Sequence, residues 1–114
     1  MTLTLHVHRG AWEANVRDVA ARYGDVIAVV KGNGYGFGLG PLAITAADLG
    51  FRRLAVGTVH ELDALPPLDE PPIVLTPAPE LSTPLPPAVL TVGSITHVEA
   101  LARRADGVAV AVAV

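Results

Sequence analysis

The chain has 114 residues, about the size of one domain. Hydrophobic residues make up 51% of it and charged residues 17%, so it has enough apolar surface to fold around a core rather than stay disordered. Its net charge of -3 gives no electrostatic reason to expect a nucleic acid as partner, and the lack of cysteine excludes disulfides, thiolate nucleophiles and cysteine-ligated zinc.

Short β-branched runs alternate with helical stretches, the pattern of successive strand–helix units that build a parallel sheet. Residues 3–8 alternate like a strand, and the helical spacing that follows them stops at Gly24. Residues 25–30 form a continuous apolar run, which is typical of a strand buried on both faces. A second helix is predicted to begin near Pro41, which the first helical turn tolerates, and to stop at Gly50.

The same cycle repeats in the second half of the chain. Thr58 and Glu61 match a capping box, in which a hydroxyl and a carboxylate bond opposed backbone N–H groups at the start of a helix. Ser94 is expected to cap another helix, and proline is dense between residues 70 and 87, where we expect mainly loop. Further strands are predicted at residues 53–56, 72–75, 89–92 and 108–114.

These repeats predict the beginning of an α/β barrel or of a doubly wound sheet. No helix follows the last predicted strand, residues 108–114, although so apolar a parallel strand is normally covered on both faces. We therefore expect the chain to be a piece of a longer protein. Residues 1–6 lack the features of a secretory signal, and the longest apolar run is far shorter than the roughly 20 residues that span a bilayer. We expect a cytoplasmic protein with no membrane partner.

The most informative stretch is a lysine that precedes a glycine-rich turn. Lys31 would lie at the carboxyl end of a parallel strand, where ligands bind in α/β folds. Burial there would lower the pKa of its amine and make it a better nucleophile. The alternate glycines from 32 to 40 let the backbone approach a ligand and adopt positive φ, and exposed N–H groups near a helix start favour a phosphate.

Two common nucleotide-binding motifs do not fit this turn. The G-x-G-x-x-G spacing fails for the starts at residues 32, 34 and 36, because Phe37, Leu39 and Pro41 stand at the third-glycine position. A phosphate-binding loop of the Walker A type has its lysine after the glycines, whereas Lys31 precedes them. These mismatches argue against a bound nucleotide but not against another phosphate-bearing cofactor. On spacing alone, a solvated lysine at a strand end is the commoner explanation.

Residues 29–38, VVKGNGYGFG, resemble the signature of the alanine racemase family, which reads approximately V-V-K-A-N/D-A-Y-G-H-G. In that family the lysine forms a Schiff base with pyridoxal 5'-phosphate and the tyrosine four residues on hydrogen-bonds its phosphate. The resemblance implies that Lys31 is the catalytic and cofactor-binding lysine and that Tyr35 binds the cofactor. It continues in order through residues 49–50, 53–56, 61, 72–75 and 90–92.

The resemblance implies a place in a larger enzyme. Residues 1–114 would be the N-terminal portion of a pyridoxal-phosphate-binding (β/α) TIM-type barrel, with the rest of the barrel and a C-terminal β domain absent from the chain. The implied activity is amino acid racemisation, L/D-alanine interconversion foremost, in a homodimer. The second base and the arginine at the pyridine nitrogen lie downstream in that family, so we expect these residues alone to be inactive.

Departures from the signature leave alternatives open. Gly32 and Gly34 replace the usual alanines, and Phe37 stands where histidine is common, which indicates a divergent branch. A pyridoxal-phosphate-dependent decarboxylase or D-amino-acid aldolase on the same barrel is one alternative, and a catalytically inactive truncated product is another. His6 and His8 alternate on a predicted strand as two metal ligands would, but no third ligand has suitable spacing, so we expect a solvated strand face and no metal.

Overall fold

The computed structural model describes residues 1–78, 80, 85–104 and 110–112. Five strands form one sheet in the order β1-β2-β3-β4-β5, and each pair of neighbours is parallel. The predicted fold class, parallel strands that alternate with helices, is therefore confirmed. The strands are β1 (Ala28–Val29), β2 (Leu54–Val56), β3 (Ile73–Val74), β4 (Val89–Val92) and β5 (Val110–Val112).

Helices occupy most of the connections between the strands, and local signals in the sequence mark several of their ends. Gly24 ends the first helix with φ 73°, and the Ser94 hydroxyl caps the last by accepting the His97 N–H at 3.1 Å, both as predicted. The helices are α1 (Arg9–Tyr23), α2 (Lys31–Tyr35), α3 (Leu39–Asp48) and α4 (Ile95–Ala102), with a 3-10 helix η1 (Val59–Ala64).

The core lies between the sheet and helices α3 and α4. All three residues of β2 are buried, because this strand has a hydrogen-bonded neighbour on each side. Small residues on α3, Ala43 and Ala46, allow the helix to lie close to the sheet. The other core side chains are Val30, Leu39, Leu54, Val56, Val74, Ala88, Leu90, Val92 and Leu101.

Residues 1–8 do not form the strand that their alternation predicts. They have no strand partner in the described sheet, and Leu3 and Leu5 are 98% and 75% exposed. Alternation is insufficient here because a strand is stable only when a neighbour takes up its backbone N–H and C=O groups. His8 instead precedes α1 and caps it, with its Nδ1 accepting the Ala11 N–H at 3.2 Å.

Ion pairs link the amino end of β2 to Glu70, in the connection between β2 and β3. The two oxygens of the Glu70 carboxylate lie 3.2 Å from an Arg52 Nη2 and 3.0 Å from an Arg53 Nη2. This cluster is at the opposite end of β2 from the loop that begins at Gly57. Among the described residues, no helix is long and apolar enough to cross a membrane.

Candidate functional site

The loops that follow four neighbouring strands form a continuous row at the carboxyl edge of the sheet. Lys31 follows β1 and adjoins Gly57, which follows β2: a methyl group added at Gly57 would lie 3.3 Å from the Lys31 Cβ. The Thr76 N–H donates to the Gly57 carbonyl at 2.9 Å. Pro77 lies 3.7 Å from the corresponding methyl position at Gly93, which follows β4. The structure therefore places Lys31 at the strand end where the sequence predicts it.

Lys31 has a fixed backbone and an exposed side chain. The preceding residue, Val30, is buried, and its N–H donates to the Ala55 carbonyl of β2 at 2.8 Å. Lys31 itself is exposed, so the burial that we expected around its amine is not provided by the described part of the chain. The reason is topological, because β1 is an edge strand with a neighbour on one side.

The turn after Lys31 is the short segment α2, whose backbone is left-handed rather than that of an ordinary α-helix. Gly32 and Gly34 have φ 61° and 63°, and Asn33 and Tyr35 have φ 52° and 54°. This region is open to glycine, whereas a bulky residue such as Tyr35 adopts it only where its surroundings impose it. Both glycines that replace the usual alanines of the signature therefore stand at positive-φ positions. Strain of this kind is concentrated at functional sites.

Close packing joins this turn to α3. A methyl group at Gly34 would lie 3.2 Å from the backbone N and Cα of Leu39 and 3.2 Å from a Leu42 methyl carbon. The Asn33 Oδ1 accepts the Leu39 N–H at 3.0 Å, so the Asn33 side chain bonds the first residue of α3. The turn and the helix therefore form one rigid unit, and the position of Tyr35 follows from it.

Several backbone N–H groups of the turn, which we expected to be available to a phosphate, donate to carbonyl groups of the turn itself. The N–H groups of Gly34, Phe37 and Gly38 donate to backbone carbonyls at 2.9–3.0 Å, and that of Gly36 does so at 3.2–3.3 Å. These four N–H groups are therefore already hydrogen-bonded within the chain, whereas Tyr35, the predicted partner of the phosphate, is 59% exposed.

The Glu61 carboxylate links the turn after β1 to the loop after β2. Its Oε1 accepts the Gly32 N–H at 2.8 Å, and its Oε2 accepts the N–H groups of Gly57 at 2.7 Å and Thr58 at 2.9 Å. Burial raises the pKa of Glu61, but the hydrogen bonds from Thr58, Gly57, Gly32 and Asn33 outweigh it and hold the pKa below its ordinary value of 4.5. The group is therefore a carboxylate at neutral pH.

Two members of this site were not predicted in these roles. The sequence shows Glu61 as half of a capping box, and its bond to Thr58 confirms that half, but the contact with Gly32 depends on the pairing of β1 with β2. Gly57 is visible in the sequence as a glycine directly after a strand, a position where close backbone approach is common. No cluster of three or more metal-binding side chains occurs among the described residues.

Comparison with known proteins gives consistent matches. The profile of the family described as "Alanine racemase, N-terminal domain" matches residues 7–114. An alanine racemase of Lawsonia intracellularis (strain PHE/MN1-00) is 32% identical over 60 residues, which are 53% of this chain and 16% of that protein. The crystal structure of alanine racemase from Oenococcus oeni matches with a TM-score of 0.64 at 22% identity.

This structural match covers 88% of this chain and 30% of the other. At that identity the likeness concerns the fold, and it confirms the predicted partial (β/α) barrel. The chain thus corresponds to well under half the length of either relative.

Proposed function

Because this chain belongs to the alanine racemase N-terminal domain family, we propose that the complete protein is a cytoplasmic amino acid racemase that uses pyridoxal 5'-phosphate and acts on alanine. The observation that carries the proposal is the position of Lys31, at the carboxyl end of β1 and directly before a strained, rigid turn. Lys31 is also the single lysine in the 114 residues, so no other lysine of the chain competes for the role.

The side chains at this edge suit the cofactor chemically. An exposed primary amine at Lys31 can bond an aldehyde carbon, and the exposed hydroxyl of Tyr35 can donate to a phosphate oxygen. Within the described part of the chain, Lys31 forms no ion pair, so its amine is not bound to a carboxylate there. The residues present therefore fit a phosphate-bearing aldehyde cofactor.

The chemistry that the cofactor supplies when bound is an electron sink for the negative charge that develops at the substrate Cα. Lys31 holds the cofactor through its Nζ and, as a free amine, takes or returns the Cα proton on one face. Tyr35 orients the phosphate end from the rigid turn. Inversion at Cα needs a second base on the opposite face, and we assign that group to the remainder of a homodimeric protein.

The proposal is tested by product analysis with the complete protein. Purified protein is incubated with pyridoxal 5'-phosphate and a panel of L- and D-amino acids, and the products are separated by chiral chromatography. We expect D-alanine from L-alanine, with loss of turnover in Lys31→Arg, which keeps the positive charge. Release of carbon dioxide would identify a decarboxylase instead, release of glycine and an aldehyde would identify an aldolase, and absence of any product would contradict an enzymatic function.

A further inference from the structure

We infer that Glu61 is the positioning residue for Lys31. Its carboxylate fixes the backbone immediately after Lys31 to the loop that follows β2, and so sets the direction in which the lysine side chain leaves the sheet. The inference rests on the proposed function, because it concerns the lysine that the proposal assigns to the cofactor.

Both oxygens of Glu61 are engaged with backbone donors from two loops. The Gly32 N–H on one side and the Gly57 and Thr58 N–H groups on the other lie 2.7–2.9 Å from the carboxylate oxygens. Hydrogen bonds of this length to an ionised acceptor are about twice as strong as neutral ones. A single side chain thus bridges the ends of β1 and β2.

The bridge is next to the lysine itself. Gly32 follows Lys31 directly, so the amide bond between these residues carries the N–H that Glu61 accepts. On the other side of the bridge, a methyl group at Gly57 would lie 2.9 Å from Glu61 Oε2 and 3.3 Å from the Lys31 Cβ. Lys31, Gly57 and Glu61 therefore pack together without room for a further carbon atom.

The left-handed turn needs such an anchor. The Val30 N–H, one residue before Lys31, donates to the Ala55 carbonyl of β2 at 2.8 Å, and the hydrogen bonds within the turn itself run between residues 30 and 42. The positive φ values of Asn33 and Tyr35 persist only where the surroundings over-determine the backbone. The Gly32–Glu61 bond fixes the first residue of the turn to the neighbouring loop.

The carboxylate acts on the backbone and leaves the amine available. In the described part of the chain neither Lys31 nor Glu61 takes part in a side-chain ion pair. An ion pair would hold the lysine as an ammonium ion, which is not a nucleophile. Glu61 therefore fixes the position of Lys31 without blocking its chemistry.

The test compares Glu61→Gln with Glu70→Gln in the complete protein. Both glutamates are half-buried, and Glu70 fastens the other end of β2 through its arginine pairs. The readouts are the urea midpoint, the dissociation constant of pyridoxal 5'-phosphate, and the absorption spectrum of the bound cofactor. We expect Glu61→Gln to weaken cofactor binding about ten-fold, the scale of the cost of ordering one side chain that is no longer pre-organised, and to alter the spectrum. Glu70→Gln should lower the urea midpoint and leave both cofactor readouts unchanged.

The outcomes separate the inference from the proposed function. If borohydride does not trap the cofactor on Lys31 of the unaltered protein, the proposed function fails. If it does, and folded Glu61→Gln binds the cofactor with unchanged affinity and spectrum, Glu61 is only a structural residue and the inference is overturned.

If Glu61→Gln does not fold, two further measurements test whether Glu61 positions Lys31. Gly57→Ala, whose methyl group would displace the carboxylate and also contact the Lys31 Cβ at 3.3 Å, should weaken cofactor binding in the same way. In the unaltered protein, the amide NMR signals of Gly32, Gly57 and Thr58 should shift together as Glu61 titrates. Independent behaviour of the Gly32 amide would overturn the inference.

Discussion

The Gly32 N–H and the Glu61 Oε1 lie 2.8 Å apart although the two residues are 29 positions apart in the chain. The contact exists because β1 and β2 are parallel neighbours, so the loops after them leave the same edge of the sheet. Each loop alone is a short polar turn. Joined through a carboxylate, they hold Lys31 in a fixed backbone setting beside Gly57.

Protonation of Glu61 should remove part of the stability of the fold. The folded-state pKa lies below the ordinary value of 4.5, so the stabilising contribution is complete above 4.5 and is lost as the pH falls through the folded pKa. At neutral pH we expect Glu61→Gln to lower the free energy of unfolding by about 1–2 kcal/mol, the lower part of the range for bonds to a charged group, because the carboxylate is partly exposed.

Urea titrations at a series of pH values test this. The difference between the unaltered protein and Glu61→Gln should shrink steadily below pH 4.5, since glutamine does not titrate. Glu99→Gln, at an exposed carboxylate on α4, is the control and should show little difference at any pH. A constant difference between unaltered and Glu61→Gln protein down to acid pH would contradict the hydrogen-bonded carboxylate.

Gly34 should tolerate alanine less well than Gly32 does. Both have positive φ, which costs an L-residue about 1–2 kcal/mol. At Gly32 a methyl group meets open space, whereas at Gly34 it meets the Leu39 backbone at 3.2 Å, which cannot move without displacing α3. We expect a loss of about 1 kcal/mol for Gly32→Ala and about 2–4 kcal/mol for Gly34→Ala. Urea denaturation measures both, and equal losses would show that the turn packs differently.

Tyr35→Phe should weaken cofactor binding without weakening the fold. Tyr35 is 59% exposed on the strained turn, so we expect removal of its hydroxyl to leave the packing intact and to take away one donor to the phosphate. The expected loss is roughly 1–2 kcal/mol of binding free energy, the scale for a hydrogen bond to a charged group. Tyr23→Phe, at a similarly exposed tyrosine on α1, is the matched control. Equal dissociation constants for the two variants would remove Tyr35 from the site.

The 114 residues expressed alone should associate and should not racemise alanine. The described sheet has β1 and β5 at its edges, and Ile27 and Val29 beside the β1 edge are 42% and 38% exposed. Unpaired apolar edges bind other strands, and a charge placed there opposes such pairing. Size-exclusion chromatography should show oligomers, and Ile27→Lys should shift them toward monomer. A monomer of the unaltered chain that interconverts D- and L-alanine would contradict both expectations.

Local signals in the sequence were sufficient for elements whose ends are set by one or two residues. Gly24, Ser94 and the Glu61–Thr58 bond appear where the pattern puts them, because caps depend on neighbours within four positions. The strand expected at residues 3–8 and the burial expected for Lys31 failed for a shared reason. Both depend on which chain segments lie alongside, and alternation or apolarity does not specify them.

The strand predicted at residues 108–114 is described for Val110–Val112, where it pairs with β4; its remaining positions lie outside the described residues. In the site, too, contiguous residues could be predicted from the sequence, whereas contacts between distant parts of the chain could not. The sequence predicted Lys31 and Tyr35 as site residues through a contiguous motif, whereas the Gly32–Glu61 contact depends on the parallel pairing of β1 and β2. The roles of these two residues stay predictions from the resemblance, and the geometry adds Glu61, whose carboxylate accepts the N–H of the residue after Lys31.

The role of Lys31 is tested most directly by borohydride reduction of the complete protein with bound pyridoxal 5'-phosphate, followed by peptide mapping. Because Lys31 is the only lysine within residues 1–114, a reduced cofactor on any lysine of this region can be on Lys31 alone. We expect the label on the peptide that contains residues 29–38, and none on that peptide in Lys31→Arg. A label confined to other parts of the protein would contradict the assignment of Lys31 as the cofactor lysine.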